Sequence, residues 1–355
     1  MVNRPARIED ALHLVQGPDW SLEDRCDSIV LADGLHEGPS RDNPTLHHFL
    51  RWKYHQRRPY MQPPQRRRDQ PYLGASPFLK TIHKKAENQS MVFWCAFGQK
   101  EALALWWALE TLSKNKIDLS NSWLIKETNS YFGYPVSPIH GCPAENLITA
   151  FEENLEPLNE DFIQSASCLW RAYVLKNPIR FHELLQTEIA AVPCQRWGIE
   201  SFSFEFPVIQ EKAGACPIGL SEADHAILSA ISTEEWRAPI QIVSAMEEKP
   251  RDLFSMKRIS LVTERIQEWA RHSPRAPVLE TRQAEGAFND SRDSTMNIEH
   301  RLTPAGKSLL DQGLTSPQQA PKLKLGGTTF YDPRQTWCKL IEGDSYSLVK
   351  LQDLN

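Results

Sequence analysis

Seven apolar residues in a row, Met91-Val-Phe-Trp-Cys-Ala-Phe97, stop at Gly98 and lead into a segment, 100–112, rich in Ala, Leu and Glu. A polar-free run of that length is too short for most helices and suits a central parallel strand buried on both faces. The residues after Gly98 are strong helix formers and predict a helix. Shorter apolar runs at 12–15, 29–32 and 123–125 predict three further strands, and helical spacing marks 44–56 (Leu46, Phe49, Leu50) and 78–87 (Phe78, Leu79, Ile82). Strands alternating with helices are what a parallel α/β sheet requires, so residues 1–130 read as a Rossmann-like α/β domain.

Beyond that domain the pattern turns helical over 144–154, 159–176 and 178–191, with Pro157 and Pro178 at the joins, giving a helical extension at 131–200. Phe202, Phe204, Phe206 and Val208 alternate along a strand or extended linker at 201–220. Ser221-Glu-Ala-Asp224 is a capping box that opens a second domain, 221–313. Helices are expected there over 223–232, 238–246 and 253–271. A two-stranded ribbon follows, with a returning strand at 300–303, and then a helix with Thr303 as N-cap and Pro304 as its first residue. Three helices, a ribbon and a closing helix form the winged-helix order. Residues 314–355 read as a β-rich tail.

At 355 residues the chain is long enough for two cores, and a net charge of −5 argues against a general polyanion binder. No apolar run approaches the roughly 18 residues of a membrane span, and residues 1–10 carry charges with no apolar signal core. The seven cysteines are odd in number and contain no Cys-x-x-Cys, which argues against a zinc ribbon. Cys95 and Cys168 lie in apolar surroundings, like core thiols. A reduced, cytoplasmic protein is expected. Neither a Gly-x-Ser-x-Gly elbow, a Walker loop nor a complete Gly-x-Gly-x-x-Gly occurs, which removes the common hydrolase, P-loop and dinucleotide readings from the front rank.

The chemistry-bearing residues cluster at strand ends. After 29–32 the chain reads Asp33-Gly-Leu-His36-Glu37-Gly-Pro39. If the first two strands are neighbours, Asp33, His36 and Glu37 come near His13, Gln16, Gly17 and Asp19. A histidine beside carboxylates can serve as general base or bind a ligand. The same residues can instead satisfy backbone donors in a turn. Metal-ligand spacing is missing, so no metal is assigned. Gly98, Lys100 and Glu101 open the helix after the third strand, where helix amides can receive an anion or Glu101 can simply complement the helix dipole. Trp170 and Arg180, on successive helices, are candidates for lining a pocket, or form a packed Trp and a surface Arg. Arg57, Arg58, Arg66, Arg67 and Arg68, with Lys84-Lys85 and interleaved Trp52, Tyr54, Tyr60 and Tyr72, form the densest basic stretch, suited to nucleic acid or to a solvated loop. In the second domain Arg251, Lys257, Arg258 and Arg265 mark the recognition helix of a winged helix, although that domain carries more acidic than basic residues.

Leu12-His-Leu-Val-Gln-Gly17, Val30-Leu-Ala-Asp-Gly-Leu-His-Glu-Gly-Pro39, Phe93-Trp94, Glu101 and the Trp170…Arg180 pair resemble a bacterial family known as domain of unknown function eighteen thirty-five. Leu302-Thr-Pro-Ala-Gly306, Gly326-Gly327 and Trp337 also fit that family. Arg301-Leu-Thr-Pro-Ala-Gly306 further resembles the wing-to-helix junction of MarR- and PadR-type regulators. The first turn departs from the family pattern, reading Gly17-Pro18-Asp19-Trp20-Ser21, so Pro18 removes one backbone donor from any anion loop there. The resemblance implies an α/β fold in a bacterial cytoplasm and no particular activity. Three functions remain open: binding of a small anionic ligand at the strand ends, ligand-responsive DNA regulation, or a hydrolase or nuclease using Asp33, His36 and Glu37.

Overall fold

A computed structural model shows a mixed α/β chain that divides into two units, residues 1–57, 63–200 and 326–328 in the first and 58–62, 201–325 and 329–355 in the second. It describes residues 4–16, 25–31, 75–86, 89–95, 99–126, 143–174, 178–187, 206–210, 218–246, 259–272, 277–284, 297–314, 324–325, 328–329, 337–342 and 345–350. The helix expected at 44–56 lies outside them.

The first unit is built on a five-stranded sheet ordered β2-β1-β3-β4-β5. Strand β1 (Ala11–Gln16) pairs in parallel with β2 (Ser28–Leu31) on one side and with β3 (Ser90–Cys95) on the other. Strand β3 pairs in parallel with β4 (Ser122–Lys126). The fifth strand, β5 (Leu155–Pro157), is antiparallel to β4 and was not expected from sequence. Three residues ending in proline carry no readable alternation, and proline is tolerated there because β5 is the edge.

Both faces of this sheet are covered, which is why β3 is buried along its whole length. Side chains alternate across a strand. Ala11, Val15, Val92, Trp94, Trp123 and Ile125 therefore share one face, packed against Leu147, Ala150 and Phe151 of α3 (Ala144–Asn154). Helix α2 (Gln99–Lys114) packs on the sheet, and α4 (Glu160–Val174) packs on α2. Every residue of α2 from 102 to 112 is buried. A helix apolar all round belongs between layers, not at a surface. Phe78 of α1 (Ala75–Lys85) stacks on Trp107 at 5.1 Å. Glu110 is the one carboxylate in that buried stretch. Burial opposes its ionisation, but hydrogen bonds from Arg171 Nε (3.0 Å) and Lys114 outweigh it and hold its pKa below the usual carboxylate range. Helix α5 (Pro178–Leu185) follows and ends six residues before the expected stop at 191.

In the second unit, the stretch 201–220 holds β6 (Pro207–Gln210) and β7 (Ile218–Ser221). Helices α6 (Glu222–Ser229), α7 (Pro239–Ala245) and α8 (Ile259–His272) follow, then the antiparallel ribbon β8 (Leu279–Gln283) and β9 (Ile298–Leu302), then α9 (Pro304–Gln312). Arg237, between α6 and α7, makes a bridge to His300 of β9, each backbone N–H donating to the other residue's carbonyl. Short strands β10 (Lys324–Leu325) and β11 (Thr328–Thr329) precede β12 (Trp337–Glu342) and β13 (Ser345–Lys350). The last two join a four-stranded sheet ordered β13-β12-β6-β7.

The Thr-Pro-Ala-Gly words have a physical basis. Thr303 Oγ1 accepts the Gly306 N–H (3.0 Å) and donates back to the Pro277 carbonyl (2.6 Å), with Pro304 at the first helical position. A Cβ on residue 306 would run into the Val278 carbonyl and the Leu302 side chain, so glycine is required for the close approach of α9 to the ribbon.

Asp224 ties α6 to α8. Its buried carboxylate receives Arg265 Nε and Nη2, both at 2.7 Å, Trp269 Nε1 at 2.7 Å and Ser221 Oγ at 2.8 Å. Ser221 in turn caps α6 by accepting the Asp224 N–H. Removing one partner of a buried ion pair costs about 3–5 kcal/mol, because the remaining charge is left unmatched. Asp224→Ala is therefore expected to lower unfolding free energy by that amount in urea melts, and an effect below about 1 kcal/mol would contradict the assignment.

Candidate functional site

Strands β1 and β2 end side by side. Their parallel register makes Gln16 and Leu31 Cα partners. The β1–β3 register runs from Ala11↔Ser90 to Leu14↔Phe93 and, continued two residues, brings Gln16 level with Cys95. Three strand C-termini thus open on one edge of the sheet. The chain leaves β1 towards β2 on one side and leaves β3 towards β4 on the other, which makes the gap between β1 and β3 a topological switch point. Helix α2 begins at Gln99, four residues after β3 ends, so Lys100 and Glu101 stand in its first turn at that same edge.

The structure brings together the strand ends that feed the expected site. Gly17, Asp19, Asp33, His36, Glu37 and Gly98 themselves lie outside the described residues, as do Arg57, Arg58, Arg66, Arg67, Arg68, Lys257 and Arg258.

His13, expected among the ligand-binding groups, is a core residue instead. It is fully buried on the α3 face of β1, 6.0 Å from the Phe151 ring. Its Nε2–H donates to the Ile8 carbonyl at 2.7 Å, and Nδ1 accepts from Trp94 Nε1 at 3.0 Å. Those two bonds fix the tautomer and use both ring nitrogens. The alternation that puts Ala11 and Val15 on that face carries His13 with them. Sequence reasoning missed Trp94 as its partner, although residues 13 and 92 sit level and 94 is two further along the same face.

Trp170 is buried in α4 against Tyr173, ring centroids 5.6 Å apart, and Arg180 is exposed and paired with Glu183 at 2.8 Å. Both follow the ordinary alternative of a packed Trp and a surface Arg. Lys85, counted in the basic stretch, is drawn to Asp27 (3.0 Å). Arg265, expected on a groove-facing helix surface, is spent on Asp224 and Glu268. Its spacing with Glu268 and Trp269, at i+3 and i+4, was the signal that one helix face bears the whole network.

Two of the expected core thiols also differ. Cys95 is disulfide-bonded, and Cys168 is an exposed free thiol on the outer side of α4. Cys26 and Cys338 are buried and free, and burial pushes their thiols up to about 11 and about 12. Among the described residues no group of three or more His, Cys, Asp or Glu side chains is placed to hold a metal. No helix of the described residues is long and apolar enough to cross a membrane.

Comparison with family models and with curated proteins yields no match to this chain.

His13 and His300 are both buried, and burial lowers each pKa from 6.5 to about 4. Among the described residues, neither ring nitrogen of His300 has a hydrogen-bond partner. Because the unfolded chain takes up these protons first, stability is complete above pH 6.5 and is lost as the pH falls towards 4. Each histidine is expected to cost about 2 kcal/mol by pH 5. Urea melts at pH 7.5 and pH 5 should show that loss, with His300→Phe flattening the slope. An unchanged slope in His300→Phe would contradict it.

Proposed function

We propose that the first unit binds a small anionic ligand at the C-terminal edge of its parallel sheet. One observation carries this reading: β1, β2 and β3 end together at a switch point, where open α/β sheets hold their ligands. The segments leaving those ends carry Gln16, Gly17, Asp19, Asp33, His36 and Glu37. The first turn of α2 adds backbone N–H groups and Lys100, which favour a phosphate or carboxylate. Kinship with the family of unknown function named above is part of this proposal, since its HEGP words follow β2 directly in the sequence. A thermal-shift panel of nucleotides, sugar phosphates and dicarboxylates tests it. A ligand at a hundredfold excess over its Kd adds about 2.7 kcal/mol of stability. The expected result is a rise in Tm with at least one phosphate compound, lost in His36→Ala while that variant keeps its own cooperative melt. A flat panel, or a shift that His36→Ala retains in full, contradicts the proposal.

A second reading, a ligand-responsive DNA regulator, is favoured by the order of the second unit. Helix, bridge, helix, helix, ribbon and helix, with Arg237 paired to His300 as the short first strand of a three-stranded wing, supports a winged helix. With Arg265 engaged internally, contact with phosphates falls to Lys257 and Arg258. Binding to duplex DNA should then weaken steeply with salt and fall in Lys257→Ala/Arg258→Ala. Gel-shift titrations at two salt concentrations check this, and salt-independent retention or none at all contradicts it.

A further inference from the structure

The β8–β9 ribbon is anchored at its base. Val278, Leu279 and Leu302 belong to the apolar core of the second unit, and among the described residues no ribbon position further out joins it. Main-chain bonds tie the same base, Leu302 N–H to the Ser232 carbonyl (2.9 Å) and Thr303 N–H to the Val278 carbonyl (3.1 Å). One step outward His300 stands level with Thr281. His300 is 1% exposed, whereas residues 280–283 of β8 are all exposed. Its backbone makes the bridge to Arg237 that fastens the outer ribbon, while its ring nitrogens have no partner among the described residues. The outer face adds the solvent-facing pairs Arg282–Glu299 and Arg301–Glu280, with both guanidinium groups over the Trp236 ring at 4.6 and 4.7 Å. Pairs of that kind contribute little to stability.

A neutral imidazole is tolerated in that position, but an imidazolium is not, because burying an unmatched charge costs far more than burying a polar group. Among the described residues, no element packed on the ribbon offers a counter-charge. Helix α7 holds no ionisable side chain, and Lys307 and Asp311 of α9 are exposed. On β8, Glu280 and Arg282 alternate with Thr281 and are engaged by Arg301 and Glu299 on the other face. The Arg237 guanidinium is turned to the Ala230 carbonyl and Glu235. On α8, Arg265 is held by Asp224 and Glu268, and Arg271 is exposed. A charged His300 ring therefore gains hydration only if the outer ribbon swings away from α7. A two-stranded ribbon is marginal by itself, so this opening leaves the helices beneath it folded. We propose that His300 is a proton-operated latch: when its ring takes up a proton, the ribbon beyond Leu279 and Leu302 parts from Arg237 and α7 and frees Trp236, while α6, α8 and α9 keep their packing.

Hydrogen–deuterium exchange on the full chain at pH 7 and pH 5, expressed as protection factors so that the intrinsic pH dependence of exchange drops out, tests this. With the ring at its ordinary 6.5 when open and about 4 when closed, the opening equilibrium is expected to rise about twentyfold between those two pH values. Peptides covering 280–284 and 297–301 should lose that much protection and regain it on return to pH 7, while peptides covering 222–229 and 262–271 keep theirs. His300→Leu and His300→Gln, neither of which titrates, should each hold the ribbon's protection equal at both pH values. Loss of protection in ribbon and helices together overturns the proposal, as does a ribbon whose protection does not fall in the wild type. A pH effect that persists in either folded variant also overturns it. If neither variant folds, the wild-type contrast between ribbon and helices decides.

Discussion

Strand β1 has a parallel neighbour on each side, and the first unit depends on that arrangement. Parallel pairing on both edges puts the C-terminal ends of β1, β2 and β3 on a single rim. It also forces the connecting chain to cross over the faces, so β1 and β3 must be apolar in both directions. The apolar residues 91–95 of β3 and the buried stretch 102–112 of the helix after it meet that requirement. Leu12 and Leu14 point to one layer, and Ala11, His13 and Val15 to the other. A polar side chain in such a position is tolerated only if it is matched. The Ile8 carbonyl and the Trp94 indole match His13, converting a candidate chemical group into part of the packing.

The second unit solves the same problem with charge. Asp224 would be costly alone, but four donors from Ser221, Arg265 and Trp269 surround it. The network joins the start of α6 to the middle of α8 and fixes how the two helices meet. Lys339 of β12, also buried, is matched by Glu222 in the first turn of α6 at 3.2 Å and by the Tyr346 ring. Glu222 and Asp224, two positions apart in one helix start, are thereby bonded to two different elements. His300 is the exception, a buried imidazole at the centre of the ribbon whose ring nitrogens have no partner among the described residues. It makes the ribbon the acid-sensitive part of this unit.

Much of the fold was legible because it follows from periodicity. The strands β1 to β4 and the helices α2 and α3 come from apolar runs and capping chemistry that act locally. Thr303 and Pro304 start α9 as their chemistry requires. What escaped the sequence depends on tertiary pairing. Leu155-Glu-Pro157 is a strand only because β4 has a free edge. At 207–210 the alternation left strand and extended linker open, and the strand is decided by β12, some 130 residues later, which pairs with it. The site was legible as a place more than as a set of groups. Spacing marked the strand ends, but it does not say which side chain of β1 turns inward, so His13 was grouped with the strand-end residues although it is buried within the strand. Arg265 was read as exposed because its partner lies 41 positions away.

The central claim is that the rim shared by β1, β2 and β3 is where a ligand sits. Hydrogen–deuterium exchange on the full chain, with and without a saturating mixture of nucleoside and sugar phosphates, tests it most directly. The account predicts slowed exchange in peptides covering 12–19, 28–39 and 93–101 together, with the ribbon at 279–302 unchanged. Protection confined to the ribbon, or protection of only one of the three strand ends, would contradict it.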